Sequence, residues 1–361
     1  MELIGLENLT EIPDISRIPN LQELHIFECR SLVKVNDSVG FLDKLTDLHF
    51  SGCSNLITLP RSLKLRSLET LRFHDCAKLQ NFPEIECKME RLEQFVLRGI
   101  AIKELPSSIV CFTGLAFFEI DDCKNLTHLP SSLQLQPLNI LGHERCSKVV
   151  KLPTKVRDER ESMLSVVSTE ESEISSSTKL FASPPPANPC IFDDGCSSIG
   201  FPALQLLYLN KCTRLVKPEF FMTLNCFSGL DRLVLLKSDI VRLPACIKRF
   251  VRLRDLCVRD CKQLKEIPEL PPSIEYIEAD GCVSLESFPD LSKILQFNTS
   301  GLQAVKWIGL SECYKLAVNI EGNQVENTLL DKVSLSLSLS LSLSFVPIFY
   351  VPWFMGSTSE N

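Results

Sequence analysis

Apolar residues return along most of the chain in one fixed frame. Leu21-x-x-Leu24-x-Ile26 is followed by Cys29-x-x-Leu32, Leu45-x-x-Leu48-x-Phe50 by Cys53-x-x-Leu56-x-x-Leu59-Pro60, and Leu68-x-x-Leu71-x-Phe73 by Cys76-x-x-Leu79-x-x-Phe82-Pro83. The frame recurs at Leu115/Phe118/Ile120/Cys123, Leu138/Leu141/Cys146, Leu204/Leu207/Leu209/Cys212, Leu253/Leu256/Val258/Cys261 and Ile274/Ile277/Cys282. Two copies replace the cysteine: Leu92/Phe95/Leu97 with Ile100, and Leu230/Leu233/Leu235 with Ser238. Most successive frames are 21 to 24 residues apart. Residues two apart share one side of a strand, so each L-x-x-L-x-L predicts a short strand with an apolar inward side.

A period of this length is the signature of leucine-rich repeats. The expected fold is an α/β solenoid, a leucine-rich-repeat horseshoe with a parallel inner sheet and an irregular outer face. The Cys-x-x-Leu-x-x-Leu-Pro half returns the chain along that outer face, where proline suits an irregular or polyproline-like path. No single repeat can bury its leucines; stacked neighbours bury them in one continuous core. The period is unbroken over residues 1–153, beginning mid-repeat at Leu6-x-x-Leu9-x-x-Ile12-Pro13 with no polar cap ahead of it. That start implies a fragment or a neighbouring domain over the end face. Residues 154–200 interrupt the period with eight acidic and four basic residues, serine runs and Pro184-Pro-Pro186, and are expected to be a disordered insertion. Repeats resume over 201–297, and 298–332 are expected to open a truncated post-repeat domain. The tail, 333–361, alternates leucine and serine from Ser334 to Ser344. This is a strand period broken by Pro347 and Pro352, so no membrane span is expected there. Leu-Ser-Leu-Ser is also what a CT dinucleotide tract encodes, so translated non-coding sequence after Lys332 accounts for it.

Charge and cysteine narrow the picture. With 38 basic and 45 acidic residues the net charge is -7, which argues against nucleic acid as a partner. Sixteen cysteines in 361 residues fall short of a disulfide scaffold. Met1-Glu2-Leu3-Ile4-Gly5 lacks the basic and apolar regions of a signal peptide, so a reducing, cytoplasmic compartment is expected, with the nucleus as a second location. The four N-x-S/T sequons are then chance matches. Nine cysteines fall in or near the repeat slot (29, 53, 76, 123, 146, 212, 261, 282 and 313) and are read as small buried fillers. No C-x-x-C pair occurs.

No phosphate-binding loop, dinucleotide fingerprint or nucleophile elbow is present, and no catalytic constellation is found, so no enzyme activity and no cofactor are expected. His25, His49 and His74 lie near Asp47 and Asp75, but short side chains on a sheet meet this way without a metal, and none is assigned. What remains is the inner face. Its outward columns carry His25, His49, Arg72, Glu119 and Tyr208, then Phe27, His74, Arg98, Asp121, Asn210 and Arg259, with Asp122 in a third column. Phe27, Phe117, Tyr208 and Tyr276 are expected to be exposed anchors for a partner, since aromatics and arginine dominate hot spots. Glu119, Asp121 and Asp122 are expected to form an acidic patch suited to a basic partner.

The motif, with Leu59-Pro-Arg-Ser-Leu63, Leu105-Pro-Ser-Ser-Ile109 and Leu129-Pro-Ser-Ser-Leu133, resembles the repeats of plant intracellular disease-resistance receptors. It is most similar to the class with a Toll/interleukin-1-receptor-like domain, a nucleotide-binding domain and C-terminal leucine-rich repeats. Ile4 to Pro13 looks like an early repeat of that class, and Leu310-Ser-Glu-Cys313-Tyr-Lys-Leu316 resembles the start of its post-repeat domain. The resemblance implies recognition of a protein ligand, a pathogen effector or a guarded host protein, and restraint of a nucleotide-binding domain in cis or in trans. Neither signalling domain lies within these residues, so NAD cleavage and nucleotide binding do not carry over. The alternative is a stand-alone intracellular leucine-rich-repeat scaffold or adaptor.

Overall fold

The computed structural model describes residues 1–130, 133, 137–146, 201, 203–211, 229–289 and 305–316. They fall in two compact units, Met1–Tyr208 with Lys217–Leu230, and Leu209–Val216 with Asp231–Asn361. The inner strands of the first are β1 (Glu2–Ile4), β2 (Glu23–Phe27), β3 (Asp47–Ser51), β4 (Thr70–His74), β5 (Gln94–Arg98), β6 (Phe117–Asp121) and β7 (Ile140–Glu144). The strand β8 (Leu206–Asn210) spans the point in sequence where the units divide, and β9 (Arg232–Leu236), β10 (Asp255–Cys257), β11 (Tyr276–Glu278) and β12 (Trp307–Gly309) belong to the second. From β1 to β7, and from β9 to β12, each strand pairs in parallel with the next. Register follows the frame: His25 lies beside His49, His49 beside Arg72, and Arg72 beside Val96.

The frame's apolar positions form the core. Leu24, Leu48, Leu71, Phe95, Phe118 and Leu141 make one buried row, and Ile26, Phe50, Phe73, Leu97, Ile120 and His143 the next. Facing phenyl rings stack where adjacent repeats both carry one: Phe50 on Phe73 at 5.4 Å and 2°, Phe95 on Phe118 at 5.1 Å and 4°. His143 is the exception in its row. It is fully buried among leucines, and burial pushes its imidazole down to about 4.

A second regularity appears just past each strand. Gly5, Glu28, Gly52, Asp75, Gly99, Asp122 and Arg145 all have φ between 50° and 67°, and Lys237, Asp260 and Gly281 repeat the positive φ in the second unit at 50–75°. A left-handed residue with a side chain costs roughly 1–2 kcal/mol. The conformation persists because it carries the ladder one residue further. The amides of Glu28, Gly52, Asp75 and Gly99 donate to the carbonyls of Ser51, His74, Arg98 and Asp121 at 2.8–3.0 Å. Over the first six repeats glycine alternates with an acid in this column. The acid's side chain occupies the space of the missing one: a Cβ on Gly52 or Gly99 would strike the carboxylate of Glu28 or Asp75.

The turn then points the slot cysteine inward. Cys53 and Cys123 donate their thiols to the carbonyls of Ile26 and Leu97 at 3.6 Å, and Cys261 and Cys282 to those of Leu235 and Val258 at 3.1 and 3.0 Å. Burial raises the Cys261 and Cys282 thiols, which opposes thiolate chemistry there. Every cysteine among the described residues is free. The outer face carries 3₁₀ turns at Asp37–Phe41, Ser107–Cys111 and Ala245–Arg249, and two-residue strands such as Glu11–Ile12 beside Lys34–Val35. The hydroxyls of Ser38 and Ser108 accept the amides of Ile15 and Ile85 in the preceding repeat, which gives the second serine of Pro106-Ser-Ser108 its structural use.

Within the segment expected to open a post-repeat domain, Trp307–Gly309 pairs with β11 as a further parallel strand, and Cys313 donates to the carbonyl of Ala279 in the ladder slot. The insertion at 154–200, the tail at 333–361 and Cys212 lie outside the described residues.

Leu71→Ala should cost about 2–5 kcal/mol in chemical denaturation, whereas Phe27→Ala, on the outward column, should cost no more than about 1 kcal/mol. Equal losses would overturn this strand orientation. His143 also predicts a pH effect. Its imidazole is lowered on folding, so its neutral form contributes stability above about pH 6.5 that is lost as pH falls toward 4. A His143→Leu variant should flatten that part of the stability profile; an unchanged slope would refute the assignment.

Candidate binding face

The outward columns are laid down by the same period that buries the leucines. His25, Phe27, His49, Arg72, His74, Arg98, Phe117, Glu119, Tyr208, Asn210 and Tyr276 are all half-buried, and only Arg259 among the expected strand-face residues is fully exposed. The expected exposed anchors Phe27, Phe117, Tyr208 and Tyr276 are thus partly covered, because neighbouring side chains one repeat away lie about 5 Å off and close over each ring. Asp122 and its column are not strand residues at all; they occupy the left-handed turn.

Two clusters stand out in the first unit. Across β2 to β4, Phe27 stacks on His25 (5.7 Å, 23°) and meets His49 edge-on (4.9 Å, 80°), and His49 meets His74 in the same way (4.9 Å, 78°). Burial, with the positive field of neighbours, pushes His49 down to about 3 and lowers His74 as well, so these imidazoles are uncharged at neutral pH. His25 lies 3.5 Å from both Glu2 and Asp47, and Asp47 lies 3.8 Å from Arg72. Burial raises the Asp47 carboxyl against the pull of Arg72 and His25.

The second cluster corrects the expected acidic patch. Asp121 is completely buried. Arg145, one repeat on, donates to both of its oxygens, with Nε at 2.9 Å, and Arg98, one repeat back, lies 2.9 Å away as an ion pair without directed hydrogen-bond geometry. Two guanidiniums close over one carboxylate, so Asp121 is structural and unavailable to a partner. Glu119 stays at the surface with its side chain 13% exposed and 3.7 Å from Arg98. Burial raises its carboxyl to about 7, with Asp121 and Glu144 adding to the shift against Arg98. Gly142 sits beside it in register and leaves room for its stem.

In the second unit Arg259 lies 3.9 Å from Glu278, and Lys306 reaches over the Tyr276 ring at 5.8 Å. Cys257, in an outward column, is buried and donates to Glu278 at 3.4 Å. Arg145 and Trp307 were missed as participants. Arg145 belongs to a turn column that carries no strand signal, and Trp307 follows a spacing of 31 residues from Tyr276 rather than the usual repeat. Among the described residues no group of three histidine, cysteine, aspartate or glutamate side chains is placed to hold a metal ion, and no helix is long and apolar enough to cross a membrane.

Inward leucine rows, a parallel ladder and a slot cysteine in most turns define a leucine-rich-repeat protein. Residues 64–169 match the family described as "Disease resistance protein RPS4B-like, leucine-rich repeats". The chain is 29% identical over 304 residues to TMV resistance protein N of Nicotiana glutinosa, covering 79% of this chain and 26% of that one. It is 30% identical over 332 residues to disease resistance-like protein DSC1 of Arabidopsis thaliana, covering 88% and 26%. The chain is similar to the leucine-rich repeats of plant disease-resistance proteins, and it spans about a quarter of the length of these relatives. Among solved structures, the leucine-rich repeat domain of the type III effector XCV3220 (XopL) is similar with a TM-score of 0.42 at 17% identity, over 88% of this chain and 69% of that one.

Removing the buried carboxylate should expose its importance. Asp121→Ala leaves two guanidiniums converging on nothing and should lower stability by about 2–4 kcal/mol, whereas Asp122→Asn, at a left-handed position that asparagine tolerates, should stay within about 0.5 kcal/mol. Urea denaturation of the two variants would separate them; a small effect at Asp121 would return it to the available surface.

Proposed function

We propose that this chain is the ligand-sensing region of a plant innate-immune receptor. Its inner face takes a protein ligand, a pathogen effector or a guarded host protein, and its repeats restrain a nucleotide-binding domain in cis or in trans, in the cytoplasm and also in the nucleus. The observation that carries this reading is the division of labour within each strand. The inward residues are leucine, isoleucine or phenylalanine in nearly every repeat, while the outward ones change type from repeat to repeat: His25, His49, Arg72, Val96, Glu119, Gly142. A face that packing leaves free to vary is a face that can be fitted to a partner. The kinship with disease-resistance proteins supports an immune partner for it. Restraint followed by release requires that the ligand favour one receptor state over the other.

A photo-cross-linking residue placed at Tyr208 tests the ligand half of this reading, with the same residue at Glu104 on the outer side as the control. In challenged plant tissue a protein adduct is expected at 208 and not at 104; equal labelling at both would count against inner-face recognition. Co-precipitation with a nucleotide-binding domain supplied in trans tests the other half. Its absence, with the adduct at 208 retained, would favour a stand-alone scaffold.

A further inference from the structure

The first four inner strands differ in charge from the strands that follow. On β1 to β4 and the turn residue after each, five carboxylates (Glu2, Glu23, Glu28, Asp47 and Asp75) accompany one guanidinium, Arg72. By the same count β5 to β7 carry four carboxylates (Glu119, Asp121, Asp122 and Glu144) against two guanidiniums, Arg98 and Arg145, which converge on Asp121. Within the first region Arg30 pairs with Glu28 at 3.0 Å and Arg72 approaches Asp47, which leaves Glu2, Glu23 and Asp75 at the rim without a lysine or arginine partner among the described residues. Glu2, Glu23 and Asp75 are exposed. Inside that rim lies the array of four rings, Phe27, His25, His49 and His74, with centroids 4.9–6.2 Å apart. The electron-rich face of Phe27 attracts a cation within about 6 Å. Carboxylates around them add long-range steering and fix its position. Neither feature suits an acidic or a purely apolar partner.

We propose that the inner face of β1 to β4 receives a basic segment of a protein partner, with a lysine or arginine side chain laid against Phe27 and the neighbouring imidazoles and its charge held by Glu2 and Glu23. This rests on the reading of the inner face as the binding face and narrows it to one partner chemistry and one place. It also relocates the preference for a basic partner, which the sequence pattern assigns to Glu119, Asp121 and Asp122, to strands two to five repeats earlier.

The test uses the full chain and three peptide probes, hexa-arginine, hexalysine and hexaglutamate, with affinity measured by fluorescence anisotropy at low and at physiological salt. Hexa-arginine and hexalysine are expected to bind and hexaglutamate is not. The double variant Glu2→Gln with Glu23→Gln, and separately Phe27→Ala, should each weaken the basic peptides at least fivefold. Phe27→Tyr, which keeps the ring, should restore binding. The matched outer-face double variant Glu90→Gln with Glu104→Gln should change it less than twofold. Circular dichroism on each variant confirms the fold. Equal weakening by the inner and outer pairs would reduce the effect to attraction by net charge and overturn the proposal, as would failure of the basic peptides to bind. If they fail while the adduct at Tyr208 persists, the inner-face reading stands and this assignment falls. If both fail, the inner-face reading falls with it.

Discussion

A strand of five residues with two or three inward apolar side chains cannot shield them from water by itself, and every other property of this chain depends on that insufficiency. Leu24 and Ile26 are covered only because Leu48 and Phe50 lie beside them in register, and those in turn need Leu71 and Phe73. Burial is shared between neighbours, so register is enforced by the same contacts that supply the stability. The buried thiol and the left-handed residue serve this one requirement. The first fills the corner of most turns, and the second extends the ladder by one amide before the chain leaves the inner face.

Because the inward half of each strand satisfies that requirement, the outward half is released from it. The release is incomplete. Side chains on adjacent repeats touch, and where their chemistry is complementary they lock together, as Asp121 does between Arg98 and Arg145. Where it is not, they remain available. The face is thus divided into a stretch whose buried carboxylate is closed over by two guanidiniums and a stretch of rings whose rim carboxylates Glu2, Glu23 and Asp75 have no lysine or arginine partner among the described residues. Specificity on such a face is set as much by which charges have already been neutralised as by which are present.

Much of this was legible in the sequence. The L-x-x-L-x-L frame fixes the strands, their parallel stacking and the direction of each side chain, since period two follows from strand geometry alone. The slot cysteines were equally readable as filler. The burial of Asp121 was not, because its covering arginines come from frames 23 and 24 residues away and the period assigns it outward. The left-handed column was hidden for a different reason. Four of its seven members in the first unit are Glu28, Asp75, Asp122 and Arg145, residue types that do not announce a positive φ as glycine does. The strand at Trp307 was hidden by spacing: its frame is stretched to 31 residues from Tyr276, so only pairing could reveal it.

The alternation of acid and glycine past the strands has a consequence for how such a chain can change length. In the run from Gly5 to Asp122, Glu28 and Asp75 each occupy the volume that the next repeat's glycine leaves empty. Copying or deleting a single repeat within that run would bring acid against acid or glycine against glycine. Copying or deleting two would restore the pattern unchanged. In this part of the molecule the heritable unit is therefore a pair of repeats, and an array that grows by recombination would keep its fit only by growing in even steps.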